Sequence, residues 1–160
     1  LIMVYNHKPT NYIHKYAFEK TKPLYPFGYG LSYTTFSISE PTLSTSEWDG
    51  SGKVHVELDV KNTGEREGME TVQLYIRDVF SSVTRPVLEL KAYKKVNLAP
   101  GEMKRMSFSL ALDDFAFYDR EMKYKAEKGD FNIFVGNSSN LYKLKKTTLE
   151  LTKNIYINEN

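Results

Sequence analysis

The chain has no cysteine among its 160 residues. This absence excludes a disulfide framework, a thiolate nucleophile and any metal site with cysteine ligands. No apolar run approaches the roughly 20 residues that a membrane-spanning helix needs, and no charged-then-apolar signal segment opens the sequence. A phosphate-binding glycine loop is also missing, because Gly28 and Gly30 lack a third glycine and a following helix. We therefore expect no membrane partner and no cofactor.

An excess of charge of one sign is missing as well. The 22 Lys and Arg residues nearly balance the 20 Asp and Glu residues, and the net charge is only +2. Such a small charge does not favour a nucleic-acid partner. The only histidines, His7, His14 and His55, have no carboxylate or cysteine pattern around them, so we expect no metal site.

Alternation of apolar and polar residues begins after residue 34 and is the period-two pattern of half-buried strands. The segment from Val54 to Val60 is the clearest case, because each apolar residue is flanked by charged or polar residues. Within the run that starts at Leu88, Lys94 is predicted to break the phase. The apolar positions of the predicted strands are Phe36, Ile38, Val54, Val56, Leu58, Val60, Val72, Leu74, Ile76, Leu88, Leu90, Ala92, Val96, Leu98, Met106, Phe108, Leu110, Leu112, Phe131, Ile133 and Val135.

Turn residues separate these runs, as Asn62-Thr63-Gly64 and Pro100-Gly101 illustrate. About seven strands with no convincing amphipathic helix predict an all-β, immunoglobulin-like antiparallel β-sandwich. An antibody-type domain would carry a buried tryptophan between two bridged cysteines. The single tryptophan, Trp48, lies beside a turn instead, which favours a fibronectin type III-like sandwich. We predict that the sandwich covers residues 34–151 and that residues 152–160 form a polar, frayed tail.

The first 33 residues differ from the rest, because they are rich in aromatics and show no period. We interpret residues 1–33 as the end of a preceding α/β domain followed by an extended linker arm. Tyr25, Phe27 and Tyr29 are costly to expose, so we expect another surface to cover them. Interface cores are enriched in aromatic residues, which makes these three, together with His7, candidates for domain docking. Exposed rings could equally stack on sugars.

Two further groups are candidates for chemistry. The carboxylates between Asp113 and Glu121 could form a glycosidase acid/nucleophile pair, but aspartates are also common turn residues, and we favour the turn. Arg85 lies in a loop beside Pro86, where its guanidinium could contact a docking partner, a substrate or only solvent.

Several short motifs follow one another along most of the chain. They are Tyr5-Asn6-His7-Lys8-Pro9, the run from Tyr25 to Thr34, Val60-Lys61-Asn62-Thr63-Gly64, the run from Gly68 to Ile76, the run from Ser81 to Pro86, Glu89-Leu90-Lys91-Ala92-Tyr93, Pro100-Gly101-Glu102, Phe117-Tyr118-Asp119 and Val135-Gly136-Asn137-Ser138-Ser139. In this order they resemble the last domain of family 3 glycoside hydrolases and the junction before it. That domain is the fibronectin type III-like module of β-glucosidases and β-xylosidases. Tyr124 departs from the family, which usually has tryptophan there.

The resemblance implies that catalysis belongs to domains that precede this region. Family 3 enzymes place an aspartate nucleophile on a barrel domain and a glutamate acid/base on an α/β domain, and their nucleophile motif does not occur here. We therefore expect no catalytic residue in this chain, and we expect a module that braces the catalytic domains of a retaining β-glucosidase parent. Two alternatives stay open: a module that binds β-linked glucan or xylan, and an independent adhesion or spacer domain. The family also implies a periplasmic or extracellular location.

Overall fold

The computed structural model describes residues 25–157, whose regular secondary structure is almost entirely β-strand. The strands are β1 Phe36–Ile38, β2 Thr42–Leu43, β3 Glu47–Trp48, β4 Val54–Asn62, β5 Gly68–Asp78, β6 Glu89–Leu98, β7 Met103–Leu110, β8 Phe117–Tyr118, β9 Tyr124–Ala126, β10 Gly129–Gly136, β11 Lys145–Leu151 and β12 Ile155–Tyr156. A single 3₁₀ turn covers Leu112–Asp114 within this range. None of these described elements is a helix long and apolar enough to cross a membrane.

Two main sheets pack face to face, which confirms the predicted all-β sandwich. One sheet has β4 at its centre, with β1 and β2 on one side of it and β7 on the other. The second sheet has the order β3-β11-β10-β5-β6, and its long strands pair in antiparallel fashion. A third, small sheet has the order β12-β9-β8, and all three of its strands follow β7 in the sequence. The candidate site depends on β5, which pairs with both β10 and β6.

The core lies between the two main sheets and contains most of the residues that the alternation predicted. The prediction is wrong for Leu88 and Leu90, which pack in a separate cluster on the outer face of the five-stranded sheet. Val54, Val56 and Val60 are fully buried, whereas His55 on the same strand is exposed and lies 3.0 Å from the Ser109 hydroxyl through its Nδ1 atom. The two sheets close over one continuous apolar cluster. Burial of each such side chain is worth about 1.5–3 kcal/mol, so this cluster supplies the main driving force for the fold.

Strand β6 does change phase, but the predicted position at Lys94 is wrong. The register pairs Leu74 with Ala92 and Tyr75 with Leu90, so the extra residue is Lys91. A bulge of one residue moves the following side chains to the opposite face of the strand. Lys94 lies opposite Val72 on the core side, where its ammonium donates to the Ser107 carbonyl of the neighbouring sheet. Its stem thus covers the edge of the sandwich.

The aromatic centre of the core includes Trp48, although a turn follows it directly. The Trp48 ring lies 5.4 Å from the Phe115 ring, which in turn lies 5.0 Å from the Phe131 ring. The Trp48 indole N–H donates to the Ser51 carbonyl over 2.8 Å, so its polar atom is satisfied inside the fold. The two-residue strand β3 therefore positions a main core residue.

The expected fraying of the tail is wrong for its middle part. Ile155–Tyr156 forms β12 and pairs with β9, and Ile155 and Ile157 pack against the core. Their apolar side chains gain more by burial than the ordering of a short segment costs. Residues 158–160 lie outside the described range.

Asn62 is a fully buried polar residue that closes the turn between β4 and β5. Its amide nitrogen donates to the carbonyls of Arg66 and Leu98 over 2.7 and 2.9 Å. Its amide oxygen accepts the Thr34 hydroxyl at 2.8 Å and the Gly64 N–H at 3.0 Å. All of its hydrogen-bonding groups are thus used, and one side chain joins both sheets to the start of β1.

We predict that Asn62→Ala lowers the free energy of unfolding by about 2–4 kcal/mol, because it leaves the buried Leu98 carbonyl and the part-buried Arg66 carbonyl without their donor. Urea unfolding followed by circular dichroism measures this change. The exposed Asn97→Ala on β6 is the matched control and should change stability by less than about 0.5 kcal/mol. Equal effects of the two variants would contradict the assigned role of Asn62.

Candidate functional site

The docking residues that the sequence predicts lie beside two different parts of β5. Tyr25, Phe27 and Tyr29 belong to the segment 25–33, called here the aromatic segment, which contacts the middle of β5. Arg85 lies in the loop 79–88 that follows β5. His7, the fourth candidate, lies outside the described residues. The structure therefore separates the aromatic and the arginine candidates.

Gln73 on β5 holds the first end of the aromatic segment. Its amide donates to the carbonyls of Gly28 and Asn137 over 3.0 and 3.1 Å, and its oxygen accepts the Tyr75 hydroxyl. Gly28 has a φ of +76°, and a side chain there would overlap Gln73. Glycine is therefore required at this position by both the backbone angle and the close approach.

Thr34 holds the other end of the aromatic segment in a narrow slot. Its hydroxyl donates to Asn62. A Cβ atom at Gly68 would lie 2.6 Å from the Thr34 methyl, and one at Gly64 would overlap the Thr34 hydroxyl. The glycines of the β4–β5 turn are thus needed for close packing rather than for flexibility. Both ends of the segment are fixed on the sandwich.

The aromatic segment exposes large side chains both before Gly28 and between Gly28 and Thr34. The exposed fraction is 65% for Tyr25, 44% for Tyr29, 87% for Leu31 and 92% for Tyr33. The Tyr25 and Tyr29 rings lie 5.3 Å apart at an angle of 31°, so each covers part of one face of the other. A fixed backbone that carries exposed apolar side chains is a feature of a binding surface.

The outer face of the five-stranded sheet carries a second apolar cluster. Tyr75, Leu88 and Phe134 are buried there, and Leu90 and Leu144 are partly buried against them. An antiparallel sheet in a free sandwich usually has a polar outer face. The outward position of Tyr75 in the alternation is the sequence signal for this cluster, which sequence reasoning missed.

Arg85 is used within the domain. Its Nη2 atom lies 2.7 Å from Glu89 Oε1, and its guanidinium stacks 4.5 Å from the centre of the Phe117 ring. Its side chain is only 13% exposed. Arg85 is therefore not a solvated loop residue. Its contacts with Glu89 and Phe117 stabilise the loop inside the domain.

A chain of ion pairs continues from this loop to the small sheet. Glu127 accepts the Ser82 N–H at 2.9 Å and lies 3.0 Å from the Lys125 ammonium, which also contacts Asp119 at 3.0 Å. Burial opposes ionisation of Glu127, but the hydrogen bonds from Ser82 and Lys125 outweigh it and lower its pKa. Hydrogen bonds to Asp119 and Glu127 raise the pKa of Lys125. These charges fix the loop 79–88 against the small sheet.

The carboxylates between Asp113 and Glu121 stabilise turns, as predicted. Asp114 accepts the Ala111 N–H at 2.8 Å, and Asp119 accepts the N–H groups of Glu121 and Lys123 at 2.9 and 3.0 Å. Backbone hydrogen bonds of this kind favour the ionised form and lower the pKa of Asp119. Among residues 25–157, no cluster of three or more His, Asp or Glu side chains could hold a metal ion.

An open cleft lies beside the loop 79–88 and contains two arginines that sequence reasoning missed. Arg77 comes from the outer face of β5, and Arg120 comes from the turn between β8 and β9. Both are exposed. Their separation in sequence is 43 residues, so no local motif could have brought them together. The other residues that line the cleft are Asp78, Val79 and residues 81–87.

Asp78 is the one acidic residue in the lining of this cleft. Its Oδ1 atom accepts the Phe80 N–H at 3.1 Å, whereas its buried Oδ2 atom has no partner in the described part of the chain. Burial raises the pKa of Asp78 to about 6; the Phe80 hydrogen bond and the Arg85 charge oppose this shift, and Glu127 and Glu89 add to it. Partial burial thus destabilises the ionised form of Asp78.

We predict that Asp78→Asn stabilises the chain at pH 8 and has little effect near pH 4. The pKa of about 6 in the folded state lies above the ordinary 3.8, so the folded state binds this proton more tightly than the unfolded state. Ionisation of Asp78 therefore reduces stability as the pH rises through about 6. Thermal unfolding at both pH values should show a gain of a few degrees only at the higher one.

The control for this prediction is Asp59→Asn on the opposite sheet. The hydrogen bond from Arg105 lowers the pKa of Asp59, so its ionised form contributes stability at pH 8. Asp59→Asn should therefore give no gain at that pH. A gain for Asp59→Asn, or an equal effect of Asp78→Asn at both pH values, would contradict this assignment.

Comparison with known proteins places this geometry in a family. A model of the fibronectin type III-like domain matches residues 70–139. A periplasmic β-glucosidase of Salmonella typhimurium is 48% identical over 132 residues, which cover 82% of this chain and 17% of that protein. A putative β-xylosidase of Formosa agariphila is 42% identical over 149 residues, which cover 93% of this chain and 19% of that protein.

Solved structures agree with these sequence relatives. A β-glucosidase of Listeria innocua superposes with a TM-score of 0.82 at 35% identity, over 92% of this chain and 22% of that one. A β-glucosidase of Erythrobacter marinus gives a TM-score of 0.82 at 38% identity, over 91% of this chain and 19% of that one. The chain thus spans about a fifth of the length of the proteins that it matches. It belongs to the C-terminal fibronectin type III-like modules of family 3 glycoside hydrolases.

Proposed function

We propose that this chain is a non-catalytic module that braces the catalytic domains of a β-glucosidase-type glycoside hydrolase. The observation that carries the proposal is the aromatic segment. Gln73 fixes it at Gly28 and Asn62 fixes it at Thr34, and yet Tyr29 and Tyr33 stay exposed between these two points. A segment that is ordered before binding loses little conformational entropy when a partner covers it.

The size of the exposed side chains supports a docking role. A tyrosine or phenylalanine buries about 150–250 Å² at an interface, which at about 25 cal/mol per Å² is worth several kcal/mol before ordering costs. Several such residues on one short, fixed segment are enough to hold two domains in one orientation. The partner we propose is the preceding catalytic region of the same protein.

The same proposal assigns the rest of the chain. Residues 1–33 would include the end of an α/β domain and the linker arm, with His7 at the junction, residues 34–151 the sandwich, and residues 152–160 the tail. Catalysis would belong to the preceding domains, whose substrates we infer to be β-linked glucosides or xylosides from the names of the relatives. The periplasmic relative supports a periplasmic or extracellular location.

Carbohydrate binding is the second candidate, because exposed tyrosines can also stack on sugar rings. The pairing of Tyr25 with Tyr29 argues against it, since each ring uses part of a face that a flat platform would offer to a sugar. An independent spacer is the third candidate, but a spacer has no need of an ordered, exposed aromatic segment. We therefore favour docking to protein.

We predict that Tyr29→Ser combined with Tyr33→Ser lowers the unfolding temperature of the whole parent enzyme but leaves that of this chain nearly unchanged. The loss in the parent should correspond to about 2 kcal/mol or more, because two aromatic contacts are removed from the domain interface. Differential scanning calorimetry on both proteins measures this.

The control is Met103→Ser, which truncates a 60% exposed apolar side chain on the four-stranded sheet. It should leave both proteins unchanged. If the tyrosine variants left the parent as stable and as active as before, the bracing function would be wrong.

We predict no retardation of the isolated chain in native gels that contain xylan, β-glucan or hydroxyethyl cellulose, compared with a gel that lacks polysaccharide. Docking to protein leaves no requirement for a sugar site on this module. Retardation that Tyr29→Ser abolishes would instead favour the carbohydrate-binding module.

A further inference from the structure

The cleft beside the loop 79–88 is lined by more positively charged than negatively charged side chains. Arg77, Arg85 and Arg120 contribute three guanidinium groups, and Asp78 contributes the one carboxylate. Even with Asp78 ionised, three guanidinium groups face one carboxylate in the lining. The cleft is therefore cationic although the chain as a whole carries a net charge of only +2.

The acidic side chains next to the cleft already form ion pairs with other residues of the domain. Glu89 contacts Arg85 at 2.7 Å and Lys91 at 3.0 Å. Glu127 binds Ser82 and Lys125, and Asp119 binds Lys125. Within residues 25–157, no carboxylate lies within 4.0 Å of the Arg77 or Arg120 guanidinium. Two guanidinium groups of one cleft thus have no ionic partner in the described part of the domain.

The walls of the cleft are fixed before any partner arrives. The stacking of Arg85 on Phe117 and the hydrogen bonds from Ser82 to Glu127 tie the loop to the small sheet. Val79 in the lining is 48% exposed, and Phe80, which follows it in the chain, is 87% exposed, so apolar contact area adjoins the charged surface. Arginine beside an exposed aromatic is a combination found in the energetic centres of protein interfaces.

We propose that this cleft binds an acidic segment of the catalytic domains of the same protein, with Arg77 and Arg120 as its contacts to aspartate or glutamate carboxylates and Phe80 as the apolar anchor. This inference rests on the proposed bracing function and adds a second docking point to the aromatic segment. Arginine suits this role because its planar guanidinium can bind a carboxylate through two parallel hydrogen bonds.

The position of the cleft agrees with this role. Successive residues of a strand alternate between its faces, so Gln73, Tyr75 and Arg77 all lie on the outer face of β5. Gln73 holds the aromatic segment, and Arg77 lines the cleft about 13 Å further along the strand at about 3.3 Å per residue. One partner surface can therefore contact both.

Carbodiimide cross-linking of the whole parent enzyme tests the proposal. The substitutions Arg77→Lys and Arg120→Lys keep the charge and provide a primary amine, which carbodiimide joins without a spacer to a carboxylate in contact with it. Mass spectrometry of the digest then identifies the linked peptides. We expect amide links from position 77 or 120 to an aspartate or glutamate of the catalytic domains.

The natural Lys53 and Lys61 are internal controls in the same digest, because both are exposed. Lys61 lies in β4 of the four-stranded sheet, and Lys53 directly precedes that strand. They should give no link to the catalytic domains. If positions 77 and 120 gave no link, or only links to residues 25–157, the acidic partner would be disproved.

A charge reversal supplies the second readout. Arg77→Glu with Arg120→Glu should lower the unfolding temperature of the parent, and this loss should shrink in 1 M salt, where the Debye length is about 3 Å. The equally charged pair Lys53→Glu and Lys61→Glu should have no such effect. The parent could be destabilised by Tyr29→Ser with Tyr33→Ser but not by Arg77→Glu with Arg120→Glu. This outcome would disprove the cleft proposal and leave the bracing function intact.

Discussion

The register of β5 determines which of its side chains enter the core and which lie on the outer face of the sheet. Val72, Leu74 and Ile76 point into the core, while Gln73, Tyr75 and Arg77 occupy the outer face. A one-residue slip of this strand would exchange the two sets and expose the core. The same register that builds the sandwich therefore also places the contacts of the aromatic segment, the outer cluster and the cationic cleft in one row.

The two attachments of the aromatic segment follow from that register. Gln73 can reach Gly28 because glycine there leaves room for its amide, and Thr34 fits its slot because Gly64 and Gly68 have no side chains. The ion pairs of Arg85 and Glu127 then fix the loop at the far end of the strand. The module thus presents two ordered surfaces on one face, which the proposed bracing function requires.

Sequence alone predicted the sandwich well, because residues such as Val56 and Leu58 alternate without interruption and Asn62-Thr63-Gly64 marks a turn. It could not locate the bulge at Lys91, since that depends on how β6 pairs with β5. It missed the strands β2, β3, β8, β9 and β12, whose two or three residues carry no readable period. It also missed β11, although Leu149 and Leu151 alternate there and are buried.

The candidate site was predicted only in part, for a similar reason. Tyr25, Phe27 and Tyr29 were found from composition and do lie on an exposed segment. Arg85 was found beside Pro86, but its contacts with Glu89 and Phe117 turn it inward. Arg77 and Arg120 meet only through the packing of the small sheet against the loop 79–88, which no local pattern contains.

Hydroxyl-radical footprinting can compare this chain alone with the same chain within the whole parent enzyme. We expect residues 25–33, Phe80 and Arg120 to become protected in the parent, while His55 and Met103 on the four-stranded sheet react equally in both. Unchanged reactivity of the aromatic segment, or protection of the four-stranded sheet instead, would contradict the proposed bracing function.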